Sequence, residues 1–200
     1  ADLAKKKECR KIMDEVEKLP VKVFINNAGF GDCGSFLETD LSKEVEMIHV
    51  NIRAMHFLMK QMLCQMEKQG EGSILNVASS AGLLPAGLYM ATYYATKSYV
   101  TSLTRAVALE LKEKKSNVYV GALCPGPVDT EFNKVANVEF AIPSITPTYC
   151  ASYAIRKMEK RKIVIVPKNK MKVLAFISRV LPQSLVIRMT ARQQKKKRNW

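Results

Sequence analysis

The sequence predicts an α/β fold with a doubly wound parallel sheet. Two observations carry this. Four short runs, 21–26, 73–78, 117–123 and 162–166, alternate with longer segments of helical period. These runs are nearly apolar throughout rather than alternating, which is the mark of strands buried on both faces.

The elements follow in order. Residues 4–18 read as a charged helix ending near Pro20, and 21–26 as the first strand. From Leu41 to Gln69 apolar residues fall at three- and four-residue steps: Leu41, Val45, Ile48, Ile52, Met55, Leu58, Met59, Met62 and Leu63. Asp40 or Ser42 is placed to cap this helix and Gly70 to stop it. Its methionines (Met47, Met55, Met59, Met62, Met66) read as packing residues, with some available for subunit contacts. Strand 73–78 follows, then a Gly/Pro-rich loop and a helix over about 88–115. Strand 117–123 runs into Cys124-Pro125-Gly126. A loop with Pro127, Pro143 and Pro147 leads to a helix near 148–160, and strand 162–166 is closed by Pro167. In such sheets ligands bind at the carboxyl ends of the strands. Each candidate motif is therefore weighed by whether it follows a strand.

Two hundred residues suffice for one domain with a substantial core. No window of 18 consecutive apolar residues appears, so no membrane-spanning helix is expected. The five cysteines (Cys9, Cys33, Cys64, Cys124, Cys150) are odd in number and lack C-x-x-C spacing. With only His49 and His56 beside them, no metal site is expected. Reduced thiols and a cytoplasmic location are. The histidines read as surface or helix-packing residues. The net charge of +14 is unevenly placed: residues 168–200 hold ten Lys and Arg, and no acid follows Glu159. The basicity belongs to that tail and speaks of what the tail touches.

Gly29-x-Gly31-x-x-Gly34 matches a dinucleotide fingerprint and follows a strand. The match fails beyond that. A phosphate loop opens a helix directly, so that the helix N-terminus meets the phosphates, whereas here the helix begins seven residues later. No second strand ending in an acid follows at about twenty residues. The triplet reads as a flexible, Gly-rich turn.

The chemistry-bearing residues lie at other strand ends. After strand 73–78 come Ser79 and Ser80. Thirteen residues past Ser80 is Tyr93, and Lys97 lies one helical turn further on, on the same face. Tyrosine is a weak acid–base group near neutrality, but an ammonium one turn away stabilises its phenolate. With a serine hydroxyl on the substrate carbonyl, such a set would protonate a ketone or deprotonate an alcohol while a hydride moves. Spacing favours Tyr93 over Tyr94 and Ser80 over Ser79.

Asn26-Asn27-Ala28-Gly29, Asn51, Ser80, Tyr93-x-x-x-Lys97 and Pro125-Gly126-x-Val128-x-Thr130 resemble, in order and spacing, the short-chain dehydrogenase/reductase family, whose fold is Rossmann-type. The resemblance runs from Asp2 to about Pro167 and sets a domain over 1–167 apart from a basic amphipathic tail over 168–200. It implies Tyr93 as general acid/base, Lys97 as its pKa modulator and ribose ligand, and Ser80 as the group orienting the carbonyl. Asn51 would hold a relay water, at a local kink of its helix. It implies cofactor contacts from Asp2 and Leu3 at the adenine, from Asn27, Ala28 and Gly29 beneath the adenine-side ribose, and from Pro125, Gly126, Val128 and Thr130 at the nicotinamide. The cofactor implied is NADP, with NAD as the alternative.

The family's opening strand and T-G-x-x-x-G-x-G loop, its coenzyme-selecting second strand and most of its third would precede residue 1. The sequence also lacks an initiating Met, so the natural start is expected upstream or to have been processed. The chain as it stands is expected to hold the catalytic half, to bind cofactor weakly, and to lack three strands of the sheet. The implied activity is interconversion of a ketone and a secondary alcohol, on an apolar substrate given the loop "GLLPAGLYM". The alternative is a non-catalytic scaffold that keeps the fold. A homodimer or homotetramer is expected. For the tail three readings stand: a helix packed over the substrate cleft or a partner subunit, peripheral contact with an anionic membrane, and, least favoured, nucleic acid.

Overall fold

The computed structural model describes residues 1–136 and 143–196. Four parallel strands lie in the order β1 (Val23–Asn26), β2 (Gly72–Val77), β3 (Val118–Leu123) and β4 (Val164–Ile165). Each apolar run is a strand, though β4 pairs over only two residues. Strands that neighbour in sequence neighbour in the sheet, so each crossover carries a helical segment over one face.

Two layers cover the sheet. On one face α3 (Met55–Gln69) and α4 (Ala91–Glu113) bury Met55, Met59, Met62 and Met66 against Ile74, Val118 and Val120. All five methionines of the 41–69 region are at most 5% exposed, so they are core and not available for contacts between subunits. On the other face α6 (Pro147–Glu159) packs Cys150 and Ala154 on Leu75, Leu123 and Ile165. α1 (Lys6–Val16) lies on α3, with Cys9 buried beside Leu58 and Ala54.

The long helix expected over 41–69 is three pieces. α2 (Leu41–Ile48) is capped by the Asp40 carboxylate, which accepts from the Ser42 N–H. A π-helical segment, His49–Ala54, separates it from α3. Such wide turns recur at functional positions. This one carries Asn51 inward, 1% exposed. Gly70, at φ +80°, ends α3 in the left-handed conformation that glycine adopts freely.

After β2 a short 3₁₀ turn, Ser80–Leu83, packs on α4. Its Gly82 is a close-approach glycine: a Cβ there would lie 2.3 Å from the Lys97 carbonyl oxygen. The segment after Pro167 is not a free tail. α7 (Asn169–Val180) and α8 (Gln183–Lys196), broken at Pro182, fold back on the domain; the short α5 (Phe132–Val135) precedes α6. Met171 joins the main core, Ser178 Oγ donates to the Leu83 carbonyl at 3.3 Å, and Thr190 Oγ1 donates to that of Ala86 at 3.3 Å. Of the tail's basic residues, Lys197 and Arg198 lie outside the described residues. Among the described residues no helix is long and apolar enough to cross a membrane.

Candidate active site

A cavity of about 500 Å³ opens at the carboxyl ends of β1, β2 and β3. Asn27 and Gly29 line it from beyond β1, Ser79 and Ser80 from beyond β2, and Pro125, Gly126, Val128 and Thr130 from beyond β3. α4 crosses behind these ends and presents Tyr93 and Lys97, which share its inner face and are 8% and 5% exposed.

The Lys97 ammonium donates to the Val77 carbonyl at 2.9 Å and lies 5.9 Å from the centre of the Tyr93 ring. Burial pushes the Tyr93 phenol up to about 12 and the Lys97 ammonium down to about 8. For Tyr93 the opposing influence comes from the Ser79 side chain, which hydrogen-bonds the phenol and lowers its pKa. Ser79 is the serine whose side chain acts on the Tyr93 phenol. Ser79 caps the 3₁₀ turn, its Oγ accepting from the Ala81 N–H at 3.1 Å, which fixes the hydroxyl beneath the helix. Ser80 lines the same cavity, but its backbone N–H is tied to the Pro125 carbonyl at 2.7 Å.

Lys97 gives a measurable consequence. Between about pH 8 and the ordinary lysine range, the unfolded chain holds a proton that the folded chain has released. Stability therefore rises with pH across that window, and below pH 8 the full burial cost stands. The stability of the native protein relative to Lys97→Met should climb by roughly 3 kcal/mol between pH 7 and the top of that window, read by denaturant melts. Parallel curves for the two proteins would contradict the buried ammonium.

Asn51 is held on all sides. Its amide donates to the Phe30 carbonyl at 2.8 Å and to Thr96 Oγ1 at 3.1 Å, while its Oδ1 accepts from the Phe30 N–H at 3.1 Å. Thr96 Oγ1 in turn donates to the Tyr93 carbonyl at 2.8 Å. The side chain thus clamps the loop after β1 to α4.

The glycine triplet belongs to this wall. A Cβ on Gly29 would lie 2.9 Å from Asn51 Oδ1 and 3.1 Å from Lys97 Nζ. One on Gly31 would lie 2.8 Å from the Phe132 ring and 3.1 Å from that of Tyr93. These glycines allow the loop to approach the site, and no helix opens on them, so they form no phosphate cradle.

The remaining expected cofactor residues divide. Val128 bridges Ile145 through its neighbours: Ile145 donates to the Pro127 carbonyl, and Asp129 donates to that of Ile145. That pattern turns Val128's own N–H and C=O away from Ile145, and Val128 lines the cavity. Ala28 sits exposed between two lining residues. Asp2 and Leu3 do not line the cavity. Asp2 is solvent-exposed, accepting from the Ala4 N–H at 3.0 Å and pairing with Lys5 at 3.2 Å, which holds its carboxyl below the usual range. Leu3 packs near Cys9.

Sequence reasoning missed several lining residues. Phe132 packs on Tyr93 with ring centres 5.3 Å apart and planes tilted by 49°, and Met171, Leu174 and Thr190 close the cavity from α7 and α8. The signal for Met171 and Leu174 was present as the apolar period of the tail, whereas the polar Thr190 gave none. Phe132, in a one-turn helix, left none. Among the described residues no cluster of three His, Cys, Asp or Glu side chains could hold a metal.

A short-chain dehydrogenase profile matches residues 1–139. The chain belongs to the short-chain dehydrogenase/reductase family. Dehydrogenase/reductase SDR family member 6 of Aquarana catesbeiana is 31% identical over 129 residues, 64% of this chain and 51% of that protein. The 17-beta-hydroxysteroid dehydrogenase type 3 of Mus musculus is 30% identical over 129 residues, 63% of this chain and 41% of that one. The chain thus spans about half the length of the curated relatives it matches. A short-chain dehydrogenase from Sphingobium yanoikuyae, solved in complex with NADPH, superposes with a TM-score of 0.78 at 24% identity, over 90% of this chain and 72% of that one. That likeness shows the shared Rossmann-type fold, to which the four parallel strands conform.

Proposed function

We propose that this family member is an NAD(P)(H)-dependent oxidoreductase that interconverts an apolar ketone and its secondary alcohol. The observation that carries the reading is the convergence of the Tyr93 phenol, the Ser79 hydroxyl and the Lys97 ammonium on one cavity at the carboxyl ends of three strands. The Ser79 hydroxyl donates to the substrate carbonyl and fixes its oxygen beside Tyr93. Tyr93, which burial keeps protonated through neutrality, gives its proton to that oxygen as the ketone is reduced. Lys97 stabilises the phenolate left behind.

The residues present suit a nicotinamide group. The close approach permitted by Gly29, the backbone of Val128, the Thr130 hydroxyl and the Pro125-Gly126 turn form its side of the cavity. When bound, the cofactor supplies or accepts the hydride. Asn27 and Ala28 are assigned to its ribose, and Asp2 and Leu3, at the chain's first turn, to its adenine. NADP is assigned ahead of NAD, in line with the NADPH found in the Sphingobium protein.

The substrate class follows from the lining. Leu84, Met90, Tyr94, Phe132, Met171 and Leu174 surround the space beyond Tyr93, and Lys97 is the sole charged residue among the described lining. With the Lys97 ammonium held by the Val77 carbonyl at 2.9 Å, the rest of the lining offers a charged substrate no counter-ion. A cytoplasmic homo-oligomer is the assembly assigned. The test is oxidation of NADPH and NADH, followed by absorbance, with a panel of hydrophobic ketones and one keto acid. Turnover of a hydrophobic ketone well above that of the keto acid is expected. A folded, cofactor-binding protein that turns over neither would refute the reading.

A further inference from the structure

α7 has three faces, and the domain uses only one. Met171, Leu174 and Ser178 point inward, toward the core, the catalytic cavity and the Leu83 carbonyl. On the opposite side Val173, Phe176 and Val180 are 57%, 69% and 70% exposed. Soluble helices place polar residues on such a face. Between the two, Lys172, Ala175, Phe176 and Arg179 form one wall of a groove of about 520 Å³. Arg105 and Leu109 of α4 form the other wall, and Leu83, Val164 and Val166 lie within it.

The charge of this groove is one-signed. Arg105, Lys172 and Arg179 line it and no carboxylate does; Glu110 and Glu113 of α4 and Glu159 of α6 stay outside. Lys172 is engaged by neutral partners, the Tyr153 hydroxyl and Asn169 Oδ1, both at 3.1 Å. Among the described residues neither arginine belongs to any of the four ion pairs. Burial and the neighbouring Arg179 charge both act against the Arg105 guanidinium. Among the described residues the groove therefore holds two guanidiniums without an anion, beside an outward apolar face, and one of them, Arg179, lies on the segment where no acid follows Glu159.

We propose that this face docks on an anionic bilayer surface: Val173, Phe176 and Val180 enter the interface, and Arg105 and Arg179 take lipid headgroup phosphates. The pairing of apolar insertion with basic flanks is what such a surface selects. A second copy of the chain suits it poorly, because a two-fold contact would set these cations against one another. A nucleic acid would satisfy the arginines but leave the apolar face in water. The proposal concerns the outside of α7 and stands apart from the chemistry on its inside.

The test is flotation of the full chain with vesicles of phosphatidylcholine alone or with one-third phosphatidylglycerol. Binding to the anionic vesicles is expected, well above that to neutral ones, and weakening as salt rises from about 0.1 M to about 0.5 M. Arg105→Gln with Arg179→Gln should lower it roughly tenfold or more, and Phe176→Ser with Val180→Ser should do the same from the apolar side. Substitution is preferred to truncation because Met171 and Thr190 help to close the catalytic cavity. Unchanged circular dichroism melts would show that the variants, made at half-buried or exposed positions, remain folded. Equal binding to neutral and anionic vesicles, or variants that float as the native protein does, would overturn the proposal. So would failure to float together with self-association that Phe176→Ser/Val180→Ser abolishes, which would assign the face to a second copy.

Discussion

Replacing Tyr93 by phenylalanine is expected to lower kcat for ketone reduction by about 10³-fold or more while cofactor affinity stays within a few-fold. Of the two phenols that line the cavity, Tyr93 is the one on the same helix face as Lys97, and loss of a positioned general acid costs about 10² to 10⁴. The ring carries the packing, lying on Phe132 with centres 5.3 Å apart and seated against Gly31, and phenylalanine keeps that ring. The hydroxyl's partner is a serine that still has the Ala81 N–H to bind. Stability should therefore change little, which separates lost chemistry from lost structure. Tyr94→Phe is the matched control. Tyr94 lines the same cavity but is one residue out of phase with Lys97, and its variant should turn over within a few-fold of the native protein. The measurement is steady-state kinetics beside a fluorescence titration of NADPH. Retained turnover in Tyr93→Phe would move the acid–base role elsewhere.

The sheet was legible in the sequence because parallel strands buried on both faces must be apolar throughout. Ile74, Leu75, Val118, Val120 and Ile165 are buried as that pattern requires. The Tyr93–Lys97 pair was legible because it lies on one regular helix, where spacing is distance. Legibility fell wherever the backbone is irregular. The break of the 41–69 helix around Asn51 leaves no trace in its apolar period, since a π-helical segment inserts no telling residue; only the family resemblance pointed to a kink. The tail illustrates a different limit. Its amphipathic pattern is present, but α7 carries apolar residues on both its inner and outer faces, so the pattern could not say which side meets the domain. That choice is made by the Leu83 and Ala86 carbonyls, which the Ser178 and Thr190 hydroxyls reach, and by the room beside Gly126 that Met171 occupies.

The serine assignment yields the second large effect, and a comparison of two neighbours tests it. Ser79→Ala should lower kcat by about 10²-fold, the usual loss when a donor aimed at a developing oxyanion is removed, whereas Ser80→Ala should stay within a few-fold. The asymmetry follows from where each group is held. Ser79 Oγ accepts from the Ala81 N–H, leaving its own proton for the phenol or for a substrate oxygen beside it. The part of Ser80 fixed by a hydrogen bond is its backbone N–H, on the Pro125 carbonyl, and alanine retains that contact. Ser79→Ala also deletes the cap of the 3₁₀ turn, which costs about 1 kcal/mol, so a modest fall in melting temperature should accompany it. The pH profile separates the two consequences. The Ser79 hydroxyl holds the Tyr93 phenol below the value that burial alone would impose. Its removal should therefore shift the rise of alcohol oxidation toward higher pH, and a mere weakening of the turn would leave that rise in place. If Ser80→Ala proves the more damaging substitution, the substrate carbonyl is bound on the other side of the turn, as residue counting from Tyr93 would have it.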